Sequence, residues 1–560
     1  MDNPFSLKFS KHFHPRLIHS LRGYNKSRFS TDVTAGITVG LIALPLAIAF
    51  AIASGAKPEA GIFTAIIAGF IISALGGSRV QIGGPTGAFI VIVYGIIQHY
   101  GYANLLICTI MAGIMLVAMG FTGMGSLIKF FPRPLILGFT SGIALLIIFS
   151  QVKDFLGLKI ADLPADFLPK LAALYHGLPT LNFVALALAA GSALLIWFYP
   201  KSWAQKFPSP ILALVLGTLV VALFHLPVET IGTRFGGIPQ SMPAFNPPAF
   251  TFAALRNLIA PAMTIALLGA IESLLSAAVA DGMIDDKHDP NQELIAQGIA
   301  NIVTPFFGGL PATGAIARTA ANVRSGASSP ISGMVHALTL VVIVLIAAPL
   351  AKNIPLPTLS AILVIVAINM GEWEGFLTLR KYPISDSTVL VVTFLLTVIF
   401  GLTVAVEVGM FIAVFTFIRR ITNLTHVSLS DRSPRPEDNE ATLAHKAVPK
   451  GVVIYRVFGA LFFGAADKLE TILQQTHVEP EVLILKMHEV ISMDSSAMHT
   501  LEHLYGKLRK HGKQLILCGP HSQPYFLMQQ AGFFEKIGLE NVAGNLDDAL
   551  QRARTLLNQE

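Results

Sequence analysis

Charge is what this sequence has least of. Asp, Glu, Lys and Arg make up 13% of its 560 residues, where soluble domains average about 25%. Mean hydropathy is +0.65. Together these exclude an ordinary soluble globular protein. Cysteine is nearly absent too: Cys108 and Cys518 fall in regions of different character, so no disulfide framework is expected. The first thirty residues lack the continuous apolar run that a cleavable signal peptide needs. There is no GxxxxGK[ST] loop, no metal-ligand spacing and no catalytic triad. The expectation is a protein that is not an enzyme and holds no cofactor or metal. The net charge of +6 does not point to nucleic acid, because membrane proteins gather basic residues in their cytoplasmic segments.

What is present is apolar sequence in spanning lengths, about 20 residues each. "LALALAAGSALLIWFY" and "LTLVVIVLIAAPLA" are examples, and the chain reads as a polytopic membrane protein. Lys8, Lys11, Arg16, Arg22, Lys26 and Arg28 place the N-terminal segment, 1–31, in the cytoplasm. "FIRR", ending at Arg420, marks the far end of the membrane region as cytoplasmic, which requires an even number of spans. The membrane domain is read as 32–422. Its spans are 32–55, 57–76, 103–123, 134–152, 182–199, 208–225, 258–282, 328–350, 357–370, 384–401 and 402–420. Broken elements near 83–99, 290–306 and 317–326 bring the total to fourteen. A polar, proline-rich stretch over 226–257 divides these into two sets of seven. That pattern predicts inverted repeats with a binding site where broken helices meet. A polar linker, 423–448, contains "SDRSPRPEDNE". Beyond it, 449–560 alternates β-type runs ("GVVIYRVFG", "EVLILKM", "KQLILCG") with amphipathic stretches, the mark of a cytoplasmic α/β domain.

The two breaks carry the chemistry. "QIGGPTGAF" (81–89) and "GGLPATGAI" (308–316) put glycine, proline and threonine where a membrane helix should be smooth. An interrupted helix exposes backbone N–H groups that protein, water or ligand must satisfy. A half-helix N-terminus adds the positive end of the dipole. Gly83 and Gly84 permit close backbone approach, Pro85 suits a first helical turn, Thr86 adds a hydroxyl, and the matching start in the second half is near Ala317 and Arg318. The competing reading is kinks or close helix packing. Arg318 opposes the dipole of the helix it would open, which makes sense beside a bound anion; a structural salt bridge or an interfacial position is the alternative.

Glu272 is the only charge in "LIAPAMTIALLGAIESLLSAAVA", 258–280. It would be balanced between desolvation, which favours the neutral acid, and a neighbouring cation, which favours the carboxylate. Such a group can exchange a proton during transport; Ser273 and Ser276 supply oxygen ligands if the coupling ion is sodium. Pairing with a structural arginine is the plainer reading. Glu407 is similarly isolated but is read as a helix-packing hydrogen bond, since no break is close to it in sequence. In "SMDSSAMHTL" (492–501), Asp494, Ser495 and Ser496 read as helix N-capping residues, or as a phosphorylation site at a helix start.

These residues carry a resemblance. "DVTAGITVGLIALPLAIAFAIASG", "GGPTGAF", "AIESLLSA", "NQELIAQGIANIVTPFFGG", "ARTAANVRSGASSPISG" and the later "MDSSAMHTL" resemble the sulfate permease family, bacterial relatives of the animal solute-carrier anion exchangers and prestin. The tail is similar to the STAS domain shared by sulfate transporters and anti-sigma factor antagonists. The resemblance covers nearly the whole chain. It implies a uracil-transporter-like fold of fourteen segments in two inverted sets of seven, divided into core and gate domains, and usually a homodimer in the inner membrane. It also implies an anion site built from Pro85, Thr86 and Gly87 on the third segment and Ala317 and Arg318 on the tenth, with Pro45 to Ala47 beside it on the first. Relatives often have Ser-Arg where this chain has Ala317-Arg318. Glu272 matches the acidic position of the eighth segment, where Glu goes with proton coupling and Asp with sodium. Ser496 matches the serine phosphorylated in anti-sigma antagonists, but Ala497 stands where those regulators have glycine.

The expected function is therefore proton-coupled transport of sulfate or a similar inorganic anion by alternating access. The alternatives are a bicarbonate or C4-dicarboxylate carrier, a nucleobase–cation symporter, against which Arg318 argues, and an anion-sensing membrane scaffold whose tail recruits a cytoplasmic protein.

Overall fold

The computed structural model describes residues 13–126, 131–161, 163–200, 203, 208–248, 252–381, 383–429, 448–462 and 480–558. "SDRSPRPEDNE" lies outside them, as do Lys8 and Lys11. The chain forms two compact units that divide between Phe411 and Ile412.

Among the described residues of the first unit, fourteen helices correspond in chain order to the expected segments, the tenth amphipathic rather than apolar. The first half holds α1 (Lys26–Ala53), α2 (Pro58–Leu75), α3 (Ile90–Tyr100), α4 (Tyr102–Phe121), α5 (Arg133–Leu156), α6 (Phe183–Phe198) and α7 (Ser209–Phe224). The second holds α8 (Phe252–Ile284), α9 (Pro290–Val303), α10 (Ile316–Arg324), α11 (Ile331–Ala347), α12 (Leu356–Met370), α13 (Ile384–Phe400) and α14 (Leu402–Leu424), which runs across the division between the units. Among the described residues, six helices are long and apolar enough to cross a bilayer alone. Others are short, as the broken pattern predicts. α1 begins at Lys26, a turn and a half before the expected start, because Asn25 caps it by accepting from the Arg28 N–H at 2.9 Å.

The packing repeats under the exchange of each helix for the one seven later. α1 packs on α11, and its counterpart α8 packs on α4. α2 packs on α11, and α9 on α4; α5 packs on α13, and α12 on α6. Helices α1–α4 and α8–α11 thus form one bundle and α5–α7 with α12–α14 a second, the core and gate organisation. Without a hydrophobic drive between helices in lipid, close backbone approach does the work. At the α4–α9 crossing, a Cβ on Gly298 would lie 2.6 Å from the Gly113 carbonyl oxygen, and one on Gly113 would lie 2.7 Å from that of Gly298.

Before α1, residues 13–24 are strapped to the core. The Arg16 N–H donates to the Gly76 carbonyl at 2.9 Å. Its guanidinium donates to Asp286 at 2.7 and 3.0 Å, and Arg79 pairs with the same carboxylate at 2.9 Å. Burial pushes the Asp286 carboxyl up, but the Lys287 backbone N–H and the two arginines hold it below the usual carboxylate range. This contribution is therefore present above the ordinary carboxylate pKa and is lost only as pH falls through the lower, folded value.

The second unit contains a five-stranded sheet in the order β3 (His426–Leu429), β4 (Val452–Leu461), β5 (Val482–Met493), β6 (Gln514–Cys518), β7 (Val542–Ala543). β3 is antiparallel to β4, and the remaining pairs are parallel. Strand β3 comes from the stretch read as linker. Alternation sends Tyr455, Val457, Leu483 and Leu485 to one face, with α15 (Ser495–Lys510), α16 (Ser522–Gln530) and α17 (Phe533–Ile537). It sends Val452, Ile454, Val482 and Ile484 to the other, with α18 (Leu546–Leu556). Asp494 caps α15 by accepting from the Ala497 N–H at 2.8 Å, and Ser496 is exposed in its first turn.

Gly298→Ala should lower the stability of the full-length protein by about 1–3 kcal/mol through overpacking. Denaturant titration in lipid-like micelles reads this, and a midpoint equal to wild type would show that α4 and α9 are not in backbone contact.

Candidate functional site

The two breaks meet. Gly83–Gly84 forms strand β1 and Thr313–Gly314 forms strand β2, paired antiparallel with Gly83 opposite Gly314 and Gly84 opposite Thr313. The Ala315 N–H extends the ribbon by donating to the Ile82 carbonyl at 2.8 Å. The exposed backbone of each break is thus satisfied by the other. Because the strands run in opposite directions, α3 and α10 leave the ribbon in opposite directions and their N-termini lie at its two ends.

The ribbon is docked on α8 through side chains. Thr313 Oγ1 donates to the Gly269 carbonyl at 2.9 Å. Gln81 Nε2 donates to the Ser273 carbonyl at 3.2 Å and to its hydroxyl at 3.1 Å. Ser273 in turn donates to Glu293 at 3.4 Å, and Ser276 donates to Thr319 Oγ1 at 3.1 Å, the same oxygen that accepts the Ile82 N–H at 3.1 Å. Both serines expected as cation ligands are therefore engaged in holding the ribbon. Glu293, fully buried at the start of α9, also accepts from the Gly77 N–H at 2.9 Å and Gln297 at 3.0 Å.

At the α3 end, Thr86 is the N-cap of a short 3-10 turn, Gly87–Phe89, that leads into α3. Pro85 thus precedes the cap rather than filling the first turn, because the β pairing holds the chain extended up to that point. Thr86 Oγ1 is buried and has no hydrogen-bond partner. Beside Gly87, where a Cβ would sit, Phe50 of α1, Ile147 of α5 and Met370 of α12 each approach to 3.6 Å. Two of these belong to the gate bundle, so the start of α3 faces the seam between the bundles. Pro45 and Ala47 are buried in α1, with the Ala47 carbonyl against Gly61 of α2. Phe50, near one turn beyond Ala47, is the α1 residue that reaches Gly87.

At the other end, Ala315 precedes α10, which places Ala317 and Arg318 in its first turn. Arg318 is 2% exposed. Its Nη2 donates to the Pro85 carbonyl across the ribbon, while Nη1 has no partner. A Cβ on Gly84 would sit 2.7 Å from Nη1, so a larger residue there would displace the guanidinium. Gly84 also has φ +148, in the region that favours glycine.

Glu272 is 9% exposed on α8, one turn before Ser276. It forms no ion pair or hydrogen bond with the described residues, so the reading of a carboxylate neutralised by a structural arginine does not hold within them. Glu407 is exposed and lines a cavity of about 60 Å³ beside Thr264, Leu268 and Ile271 of α8. It makes no packing hydrogen bond among the described residues, because the α8 face opposite is almost wholly apolar. Among the described residues no group of three or more His, Cys, Asp or Glu is arranged to hold a metal.

Sequence reasoning missed Gln81, Thr319, Ile147, Met370 and His336. Gln81 and Thr319 stood inside motifs it had quoted. Ile147 and Met370 are apolar in apolar helices and carry no signal.

The arrangement offers a buried guanidinium N–H, a buried hydroxyl and two helix starts, a donor set that suits an anion. Comparison with known proteins agrees. The model of the sulfate permease family matches residues 29–393, and the STAS domain model matches 444–549. A Bacillus subtilis (strain 168) protein named "Putative sulfate transporter YvdB" is 42% identical over 529 residues, 94% of this chain and 98% of that one. The bicarbonate transporter BicA of Picosynechococcus sp. is 31% identical over 538 residues, covering 93% and 94% of the two chains. Among solved structures, the transmembrane domain of a cyanobacterial BicA matches 70% of this chain and 98% of its own at 31% identity, with TM-score 0.62. The murine solute carrier 26 member A9 in its inward-facing state shares the fold, with TM-score 0.87 over 99% of this chain and 96% of that one at 19% identity.

Removing Arg318 should cost the site one charge-assisted contact. Arg318→Ala is expected to weaken anion binding by about 1.5–3 kcal/mol, roughly 10- to 150-fold, with the protein still folded. Affinity within twofold of wild type in the purified variant would remove Arg318 from the anion site.

Proposed function

The chain belongs to the sulfate permease family and is a multi-pass membrane anion transporter with a STAS domain, and on that premise we propose that it takes up sulfate by proton-coupled alternating access. The observation that carries the anion site is the buried Arg318 guanidinium, spent on one side against the Pro85 carbonyl and unpaired on the other. A buried cation is stable when an anion joins it. The name of the 42% identical relative supports sulfate. That of BicA supports bicarbonate as the second reading. Both anions present oxygen acceptors to the same donors.

Glu272 is the proposed coupling group. It is buried, it has no protein partner among the described residues, and it sits one turn from Ser276, which ties α8 to the ribbon. Such a carboxylate can carry a proton with the anion and release it when the site opens to the other side. Rocking of the core against the gate moves Thr86 and Arg318 past Ile147 and Met370. Thr86, Gly87 and Arg318 are assigned to substrate, Pro85 and Ala317 to its frame through their backbone, and Pro45 and Ala47 to the adjoining wall of α1. Ser273 and Ser276 are positioning residues. The basic N-terminal segment supports cytoplasmic termini in the inner membrane. A homodimer, and a cytoplasmic protein partner for the STAS domain around Ser496, complete the proposal.

Proteoliposome uptake tests it. Sulfate, bicarbonate, succinate and chloride are offered with and without an inward proton gradient. Sulfate should be concentrated only with the gradient, and Glu272→Gln should lose that accumulation while still exchanging sulfate for sulfate. Gradient-driven accumulation by Glu272→Gln equal to wild type would place the coupling proton elsewhere. Uptake of none of the four would leave the scaffold reading.

A further inference from the structure

His336 lies in α11, is 0% exposed, and its ring nitrogens make no hydrogen bond of ordinary geometry, the Gly333 carbonyl one turn earlier being a weak backbone contact. A buried imidazole without a full hydrogen bond carries a desolvation cost that an apolar residue in its place would not. It is set against the site from behind. A Cβ on Gly69 of α2 would sit 3.4 Å from its Cε1 and Nδ1 and 3.2 Å from the carbonyl oxygen of Gly83, a residue of β1. One turn earlier on α2, about 6 Å along the helix, Ala65 faces Gly84 and the unpaired Nη1 of Arg318. Imidazole and guanidinium therefore lie on the Gly83 side and the Gly84 side of the same two-residue strand.

The charges facing His336 are few. α1 presents Gly36 and Gly40 to this face of α11. Its Asp32 lies a turn further back and is committed to Tyr24, Ser328 and Ser329. α2 presents Gly69 and Ser73, both uncharged. α10 presents Arg318, together with Asn322, which donates to Ser332 at 2.9 Å. Arg318 is thus the one charge that faces the ring from these elements among the described residues.

We propose that His336 is a second proton site of the transport cycle. With no anion in the site, burial and the Arg318 cation on the far side of the strand both disfavour a positive charge on the ring. An anion bound at Nη1 cancels the field of that cation, and the imidazole accepts a proton at a ring nitrogen; departure of the anion expels it. Linkage makes the effect reciprocal: what protonates His336 tightens the anion, and the anion raises proton occupancy. Imidazole suits the role because it changes charge by taking up a single proton at a ring nitrogen. The inference rests on the proton-coupled reading above and adds a group to it.

The test is proton uptake on anion binding, measured calorimetrically in the purified full-length protein. Sulfate is titrated at pH 6 and pH 8 in buffers of different ionisation enthalpy. Wild type should take up protons with sulfate, more at pH 6. His336→Gln should still bind sulfate but take up fewer protons, about half where two groups share the coupling, and its affinity should vary less with pH. Uptake and pH slope equal to wild type in His336→Gln, with loss in Glu272→Gln, would overturn this inference and leave the proton-coupled reading intact. Sulfate binding by wild type without net proton uptake would refute that reading itself. Should His336→Gln and His336→Asn both fail to fold, infrared difference spectra of wild type with ¹⁵N-labelled histidine decide: an imidazole protonation band on adding sulfate supports the proposal, and its absence overturns it.

Discussion

A guanidinium in the first turn of a membrane helix is held by electrostatics against two costs, desolvation and the positive end of its own helix dipole. Arg318 accepts both. What tethers it is a bond across the ribbon to the Pro85 carbonyl, and what gives it space is the missing side chain of Gly84. The bond ties the start of one half-helix to the approach to the other. The positions of Thr86, of the ribbon and of the serines that brace it all follow from that tie. In the proposed reading, an anion at the free Nη1 offsets part of that electrostatic cost.

The duplication explains how such a site arises twice over from one pattern. Each half supplies an interrupted helix whose backbone is unsatisfied alone, and the antiparallel β1–β2 pairing satisfies both at once. The two halves differ where function needs them to. The first contributes a hydroxyl, Thr86, and the second a cation, Arg318. Around them the contacts of α1 with α11 and α8 with α4 repeat under the exchange of halves. The start of α3 instead looks out onto the gate residues Ile147 and Met370. In the proposed alternating-access cycle, movement at this seam would control access and leave the ribbon intact.

Much of this was legible in the sequence. The breaks at 81–89 and 308–316 stand out because glycine, proline and threonine are poor company for a membrane helix. Glu272 stands out because it is a lone charge in an apolar run, and Arg318 because it is a cation at the start of a half-helix, against the dipole. The ribbon itself was not legible: two-residue strands leave no alternation to read, and Pro85 was assigned to a helical turn that begins only after Thr86. Glu293 was hidden for the opposite reason to Glu272, since "NQELIAQ" is polar enough that a carboxylate gives no contrast. Ser273 and Ser276 were read as oxygen ligands for the case of sodium coupling; that they also bond Gln81 and Thr319 and so brace the ribbon has no mark in the sequence. His336 had a signal, one imidazole in "ISGMVHALTL", which becomes informative only once Gly69 and Gly83 are seen beside it.

Everything turns on an anion lying between the two half-helix starts. Selenate carries the geometry of sulfate and a heavy atom that diffraction at the selenium absorption edge can locate. In crystals of the full-length protein soaked in selenate, one anomalous peak should lie within hydrogen-bond distance of Arg318 Nη1 and Thr86 Oγ1, and it should vanish in Arg318→Ala. A saturated peak elsewhere in the membrane unit, with none beside Arg318, would contradict the assignment of the site.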